Sequence, residues 1–232
     1  MIALVSAHFG GIDPVFALPE RPAAVSAFYF TDGLAQNHTY ADRTWTRTMR
    51  ELPSDNPRLR AKFFKCQIPR LGQTYSYAHM AWSDSCFRFA SLDFLLDWAE
   101  QVGLDGSRAV LVPHPDRKTV AEEYSYVLDE IARGNPYLAS RYPARDLERE
   151  REHFGRRHDL DALPLYSGGI WLFANAPQTY EFFDAWWNTV RRFSIFDQAA
   201  ITPLLVESGI EVVAAPLYLY RNPVWERVVH CR

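Results

Sequence analysis

Short apolar segments alternate with helical patterns along this 232-residue chain, and this alternation limits the possible folds more than any other feature. Aliphatic and aromatic side chains dominate six segments that predict buried strands, at residues 2–7, 25–30, 77–82, 108–113, 166–173 and 211–215. Apolar residues at helical spacing predict helices at residues 92–102, 118–133 and 197–206, and another that carries Pro177 in its first turn. Strands alternating with helices are typical of a three-layer α/β domain with a largely parallel sheet.

Two of the predicted helices have recognisable ends. Ser91 is a candidate N-cap for the helix at 92–102, and Gly103 follows its last residue. Gly134 follows the helix at 118–133 in the same way. Between residues 135 and 161 the apolar periodicity is poor and arginines are interleaved with acids and aromatics, which predicts an irregular, arginine-rich excursion on the surface.

Length and composition predict one domain over residues 1–232, since 48% of the residues are hydrophobic and no linker-like stretch divides the chain. The net charge of -3 excludes a whole-protein attraction to nucleic acid or to an anionic membrane. The three cysteines, Cys66, Cys86 and Cys231, lack metal-site spacing, which favours a reducing cytoplasm. No apolar stretch reaches the roughly 18 residues that would span a bilayer, so we expect a soluble protein without a membrane span.

Ligands of open α/β sheets bind beyond the carboxyl ends of the strands, so the residues that follow each predicted strand are candidates for chemistry. His8, Gly10 and Gly11 follow the first strand in a glycine turn that a ligand could approach closely. The turn does not have the GxGxxG pattern of a dinucleotide-binding fold. Asp32 follows the second strand, where its carboxylate could accept a hydrogen bond from a base or a ribose. A turn residue before Gly33 is the equally simple alternative for Asp32.

Asp84 follows the strand at 77–82 and is flanked by Ser83, a candidate hydrogen-bonding residue. A carboxylate at this place could hold a Mg²⁺ or Mn²⁺ ion on a diphosphate, or it could be a simple turn residue. Among the 25 Lys and Arg residues only three are lysine, at positions 62, 65 and 118. Lys62 and Lys65 are therefore candidates for stabilising the negative charge of the same diphosphate.

Gly168 and Gly169 open the strand at 166–173, where bare backbone would let a donor sugar lie close. Asp197 and Gln198 begin a predicted helix, where they could face the anomeric carbon or hydroxyls of the sugar, or simply cap the helix. His114 and Arg117 follow the strand at 108–113. They are candidates for contacting the acceptor, or they belong to a solvated helix start.

The order of these segments resembles the glycosyltransferase-like domain first described in plant pollen and seed-mucilage proteins. The matching stretches are residues 8–13, 28–32, 60–65, 82–84, 114–117 with Glu122 and Glu123, 167–173, 186–187 and 196–198, and a closing His230. The resemblance implies a single GT-A-like, Rossmann-like domain with a nucleotide-sugar donor and usually a divalent cation on an Asp-x-Asp motif. It makes Asp84 and His230 the candidate metal ligands, with Ser85-Cys86 where a second Asp is expected.

Residues and resemblance together predict a hexosyltransferase with a UDP- or GDP-linked donor, assisted by Mn²⁺ or Mg²⁺. The acceptor stays open among a glycan, a small molecule and DNA, and no catalytic base is identified. The first alternative is a non-catalytic nucleotide-sugar or glycan-binding protein on the same fold. A nucleotidyltransferase is a further alternative, but the turn after the first strand lacks the basic phosphate loop expected of one.

Overall fold

The computed structural model describes residues 1–10, 16–32, 46–49 and 56–228, with backbone alone at 46–49. The strands are β1 (Ile2–His8), β2 (Val25–Thr31), β3 (Thr46–Met49), β4 (His79–Ser83), β5 (Phe87–Phe89), β6 (Arg108–Pro113), β7 (Tyr166–Ala174), β8 (Glu211–Ala214) and β9 (Trp225–Arg227). The helices are α1 (Pro57–Cys66), α2 (Ile68–Tyr75), α3 (Phe94–Val102), α4 (Val120–Ala132), α5 (Pro136–Ala139), α6 (Ala144–Gly155), α7 (Pro177–Arg192) and α8 (Ile201–Glu207). In this part of the chain, no helix is long and apolar enough to cross a membrane.

Seven strands form the central sheet in the order β3-β2-β1-β4-β7-β6-β8, and β5 pairs with β9 in a small separate ribbon. Within the central sheet β7 runs antiparallel to β4 and to β6, and every other pairing is parallel. The start of β7 therefore lies at the same edge as the carboxyl ends of β1, β4 and β6. The predicted fold class, a three-layer α/β domain with a mostly parallel sheet, is confirmed.

The two faces of the sheet pack against separate apolar clusters, which produces the three layers. Along β1, Val5 faces one cluster and Leu4 faces the other, and both side chains are fully buried. Along β7, Trp171 and Leu172 divide in the same way. Burial on both faces explains why these strands are continuous apolar runs rather than alternating ones.

Three helix starts lie further along the chain than predicted. α3 begins at Phe94, because the Ser91 hydroxyl accepts from the Asp93 amide and closes a turn before the helix. α8 begins at Ile201, so Asp197 and Gln198 precede the helix and do not cap it. α4 also begins later than predicted, at Val120 within the predicted 118–133 segment, because a capping box between Thr119 and Glu122 sets its start.

The prediction of an irregular excursion at 135–161 is wrong, since the segment contains the short helix α5 and the 12-residue helix α6. α6 buries Leu147, Glu150 and Phe154, which have the three-and-four spacing of one helical face. The glutamate occupies a core position, where the Tyr124 hydroxyl donates to it over 2.9 Å. A charged residue at a buried position hid the apolar periodicity of this helix from sequence analysis.

Candidate functional site

A cavity of about 270 Å³ opens at the edge where the carboxyl ends of β1 and β4 meet the start of β7. The Asp84 amide donates to the Gly169 carbonyl over 2.8 Å, which joins the end of β4 to the start of β7. The lining side chains come from strand ends, from α1, from the α5–α6 segment and from the loop between α7 and α8. The charged or polar ones are His8, Arg58, Lys62, Lys65, Asp84, Ser85, Arg141, Asp197, Gln198 and Arg227.

The centre of the site is a carboxylate held between two lysines. Lys62 Nζ lies 2.6 Å from Asp197 Oδ1, and Lys65 Nζ lies 2.7 Å from Asp197 Oδ2. Lys65 is 2% exposed and Lys62 is 22% exposed, so the first is enclosed while the second reaches the open cavity. Their spacing of three residues puts both ammonium groups on one face of α1, which begins at the side-chain cap of Asn56.

This arrangement controls the protonation of Asp197. Burial alone would raise the pKa of Asp197, but the two lysines outweigh burial and lower the pKa to about 2. Burial alone would lower the pKa of Lys62, and the carboxylates of Asp197 and Asp84 outweigh it and raise the pKa instead. At neutral pH Asp197 is therefore an anion and Lys62 a cation.

Aromatic side chains enclose the buried end of this cluster. Lys65 Nζ lies 5.6 Å from the ring centroids of both Trp82 and Trp186, within cation–π range. The Trp186 indole also donates to the Asp197 carbonyl over 2.9 Å. The two tryptophans therefore fix the positions of Lys65 and Asp197 from the apolar side.

Asp84 follows β4 as predicted and lies at the mouth of the cluster with its side chain 34% exposed. Its Oδ1 accepts from the Trp82 indole over 2.7 Å and lies 3.6 Å from Lys65 Nζ. Ser83 is buried, and its hydroxyl donates to the Asp84 carbonyl, whereas Ser85 lines the cavity. Asp84 thus presents a carboxylate to the cavity beside a buried cation.

The two glycines at the start of β7 permit close packing of the site's own side chains. A Cβ on Gly168 would lie 3.2 Å from Lys65 Nζ, and one on Gly169 would lie 3.3 Å from Asp84 Oδ2. The Cβ on Gly169 would also lie 3.1 Å from the ring of Phe87. The sequence argument assigned this space to a donor sugar, and in the structure Lys65, Asp84 and Phe87 already approach it.

A chain of polar contacts connects the cluster to the end of β6. Gln198 accepts from the Gly168 amide over 3.3 Å and donates to Glu123 over 2.8 Å. The other carboxylate oxygen of buried Glu123 pairs with Arg117, whose guanidinium lies 3.1 Å from the ring of His114. His114 and Arg117 are therefore linked to the cavity through Glu123 and do not line it.

The His114 ring is held neutral. Burial and the neighbouring Arg117 lower the pKa of His114 to about 4. The Nδ1 atom faces the amides of Asp116 and Arg117 at 3.2 Å each, which fixes the ring at the start of the loop. Burial raises the pKa of Glu123, although its bonds to Arg117 and Gln198 oppose this shift.

On the β1–β2 side, a hydrogen bond between Gly10 and Asp32 joins the loops after the two strands, next to His8, which is buried and lines the cavity. The Gly10 amide donates to Asp32 Oδ2 over 2.9 Å, and Gly10 has a φ of 76°, which favours glycine. The predicted site residues Gly11 and His230 lie outside the described residues.

Three arginines of the cavity were not predicted as site residues. Arg58 comes from the first turn of α1, Arg141 from the segment between α5 and α6, and Arg227 from β9. The Arg141 guanidinium lies 3.6 Å over the ring of Tyr137, and in the described part of the chain its buried Nε has no hydrogen-bond partner. The Asn-Pro pair before Arg58 was a usable helix-start signal, but Arg141 and Arg227 reach the site only through tertiary packing.

The described residues at the site do not form a protein metal centre. Within residues 1–10, 16–32 and 56–228, no three His, Cys, Asp or Glu side chains are grouped so that they could hold a metal ion. Asp197 is held by two lysines, and Asp84 lies beside one of them. These groups do not fit an ion held by protein ligands alone, so we derive no step through a metal, and Mn²⁺ or Mg²⁺ binding stays a prediction.

Comparison with known proteins supports the architecture. No protein-family model and no curated protein matches the chain. The structure is similar to the crystal structure of mouse xyloside xylosyltransferase 1 in its apo form, with a TM-score of 0.52 and 8% sequence identity. The match covers 91% of this chain and 84% of the mouse chain. At this identity the likeness establishes a glycosyltransferase-like fold, and the resemblance to the plant family stays a prediction.

Proposed function

We propose that the protein is a glycosyltransferase that moves a hexose from a UDP- or GDP-linked donor to an acceptor hydroxyl. The observation that carries the proposal is the convergence of Lys62, Lys65, Asp84 and Asp197 on one cavity at the strand-end edge of the sheet. The fold it shares with a protein named as a xylosyltransferase supports the same reaction class.

The charge of the cavity supports an anionic donor. Five lining side chains are lysine or arginine and two are aspartate, although the whole chain has a net charge of -3. A nucleoside diphosphate brings negative charge and gains more of it as it departs from the sugar. The buried, unpartnered Nε of Arg141 is a donor that such a ligand could satisfy.

The chemistry follows from what each group can do. The acceptor oxygen bonds to the anomeric carbon, the bond from that carbon to the diphosphate oxygen breaks and leaves its electron pair on the nucleoside diphosphate, and the proton of the acceptor hydroxyl is released to solvent. Lys62 faces the open cavity and would stabilise the charge on the leaving diphosphate. Asp197 has a pKa of about 2, so it would orient sugar hydroxyls as an acceptor of hydrogen bonds and would not supply a proton at neutral pH.

A donor panel tests the proposal. Thermal shift and donor hydrolysis should be measured with UDP-, GDP-, CDP- and TDP-sugars, each with Mn²⁺, Mg²⁺ or a chelator. The panel should include UDP-xylose because of the neighbour's name. We expect one nucleotide class to raise the melting temperature and to be turned over, with both effects lost in Asp84→Ala. Asp129→Ala, which removes an exposed carboxylate of α4, is the matched control.

The outcomes separate the candidate functions. Stabilisation by a donor that is never hydrolysed or transferred would favour the non-catalytic binding protein. Absence of any shift across the panel, with folded protein, would contradict the proposal. Turnover that survives the chelator would remove the predicted metal, and turnover that needs the added ion would support it.

A further inference from the structure

A strip of tyrosines borders the cavity on the side of β6 and β9. We name it the tyrosine strip and define it as Tyr126, Tyr218 and Tyr220 with the loop residues His114, Asp116 and Arg117. Tyr126 and Tyr218 are 43% and 57% exposed, a large aromatic area to leave on the surface of a protein. Neither ring lines the proposed donor cavity, so binding of the donor does not account for their exposure.

Contacts in the structure make the strip continuous with the cavity. The Arg227 guanidinium, which lines the cavity, lies 5.9 Å from the ring centroid of Tyr220. The Tyr220 hydroxyl donates to Asp116, and the ring packs edge-on against Tyr218 at 5.6 Å. At the other end, the Arg117 guanidinium lies 4.2 Å over the ring of Tyr126. A molecule on the strip would therefore reach the mouth of the cavity.

The strip also has fixed hydrogen-bonding groups. Asp116 is exposed, accepts from Tyr220 and keeps further lone pairs available to a ligand. The His114 ring is held by its contacts to the loop amides and to Arg117. Aromatic faces next to fixed polar groups suit a molecule that has both apolar C–H faces and hydroxyl edges, which is the chemistry of a pyranose.

Charge distinguishes the strip from the cavity. Arg117 is paired with Glu123, and Asp116 adds a further acid, so the strip has no surplus of positive charge. A polyanion such as DNA would gain no counterion release there. Of the arginines in α6 and just after it, Arg149, Arg156 and Arg157 are already paired with Asp146, Glu152 and Glu207.

We propose that the acceptor is an uncharged saccharide that packs on the tyrosine strip and points one hydroxyl into the cavity. The proposal rests on the proposed glycosyl transfer and names its acceptor class. It assigns Tyr218 and Tyr126 as acceptor-binding residues, with Asp116 orienting saccharide hydroxyls.

The test uses defined probes with the full chain. Saturation-transfer NMR and acceptor-stimulated release of nucleoside diphosphate should be measured with cellotetraose, maltotetraose, mannotetraose and xylotetraose. Heparin and single-stranded DNA are the anionic comparisons. We expect at least one neutral saccharide to bind, and Tyr218→Ala to weaken its binding about fivefold to tenfold. Tyr218→Phe keeps the aromatic ring and should keep the affinity for the saccharide. Retained affinity in this variant would assign the loss in Tyr218→Ala to the missing ring.

Tyr75→Ala is the matched control, since Tyr75 is 58% exposed and stacks on Phe28, outside the strip. The donor thermal shift, measured on the same Tyr218→Ala sample, separates the two proposals. In the wild type, a normal donor shift with no binding of any neutral saccharide, or with stimulation by the anionic polymers instead, would overturn the acceptor assignment and leave the transferase standing. Saccharide binding that depends on Tyr218 without any donor shift would support the strip and count against the transferase.

Discussion

Two regions that carry several basic residues, the lysine pair of α1 and the arginines of α6 with its C-cap Arg156, differ in what surrounds their charges. Lys65 is 2% exposed and shares Asp197 with Lys62 among tryptophan rings. Arg156 is 73% exposed and pairs with Glu152, which lies in the last turn of α6. A buried ion pair leaves an uncompensated charge when it is broken, whereas an exposed pair is replaced by water at little cost.

This difference shows that the number of charged residues in a segment does not predict a binding site. α6 has more Asp, Glu, Lys and Arg residues than α1, seven against four, yet the ion pairs of Arg149 with Asp146 and of the C-cap Arg156 with Glu152 are local and solvated. The lysines of α1 converge with acids from two other elements on one cavity. Four predictions follow from this contrast, and the first has the largest expected effect.

Replacing Lys65 by methionine should lower the free energy of unfolding by about 3 kcal/mol, because it removes one partner of a buried ion pair. The same change should abolish the donor thermal shift, since Asp84 and Asp197 lose the cation between them. Urea unfolding at pH 7 measures the first effect. Lys118→Met removes an exposed lysine and should change little. If the free energy of unfolding fell by less than about 1 kcal/mol, the Lys65 ion pair would contribute no more than an exposed surface pair, and the prediction would be contradicted.

Asp197→Asn should remove an acid-sensitive part of the stability. The pKa of Asp197 is about 2 in the folded protein and 3.8 ordinarily, so the carboxylate stabilises the fold above pH 4 and loses this contribution as pH falls toward 2. The contribution is on the order of 2 kcal/mol. Urea unfolding of Asp197→Asn between pH 5 and pH 2.5 should therefore vary less with pH than wild type. Asp184→Asn, an exposed change on α7, should keep the wild-type slope, and equal slopes for Asp197→Asn would refute the lysine-held carboxylate.

Lys62→Ala separates binding from stability within the pair. Lys62 is 22% exposed and Lys65 continues to hold Asp197, so the free energy of unfolding should fall by only about 1 kcal/mol. Donor affinity should fall about tenfold or more, because the cation that reaches the open cavity is gone. Calorimetric titration of the nucleotide found in the donor panel measures this effect. Unchanged donor affinity would mean that Lys62 does not contact the donor, and it would contradict the prediction.

Arg156→Ala should have the smallest effect. Its pair with Glu152 is exposed on both sides, so the free energy of unfolding should change by less than about 0.5 kcal/mol. Donor binding should equal that of wild type. Urea unfolding with and without 1 M NaCl checks the assignment, since salt screens exposed pairs and should erase what difference there is. A loss comparable to that of Lys65→Met would contradict the contrast between the two regions.

The sheet could be predicted because its strands are buried on both faces and therefore appear as continuous apolar runs, as in β1 and β7. The helices α1 and α2 were not predicted. The Asn56-Pro57 start of α1 was a readable signal, but lysines and arginines lie between its apolar residues. α6 was missed because Glu150 occupies one of its buried positions.

The candidate site was predictable where chemistry follows a strand. Asp84 lies directly after β4, and the unusual lysines at 62 and 65 meet Asp197 as neighbours of the same cavity. Sequence analysis could not show that Asp197 is held by both lysines, because that depends on the packing of α1 against α7 and the loop after it. Arg141, Arg227 and the tyrosine strip come together only through tertiary structure.

The central claim is that the lysine–aspartate cavity is the donor site, and a crystal structure with the nucleoside diphosphate that gives the largest thermal shift tests it most directly. The account predicts that the diphosphate lies beside Lys62 and Asp84, with the base toward Gly10 and Asp32. A diphosphate bound elsewhere, such as on the arginines of α6, with this cavity unchanged, would contradict it.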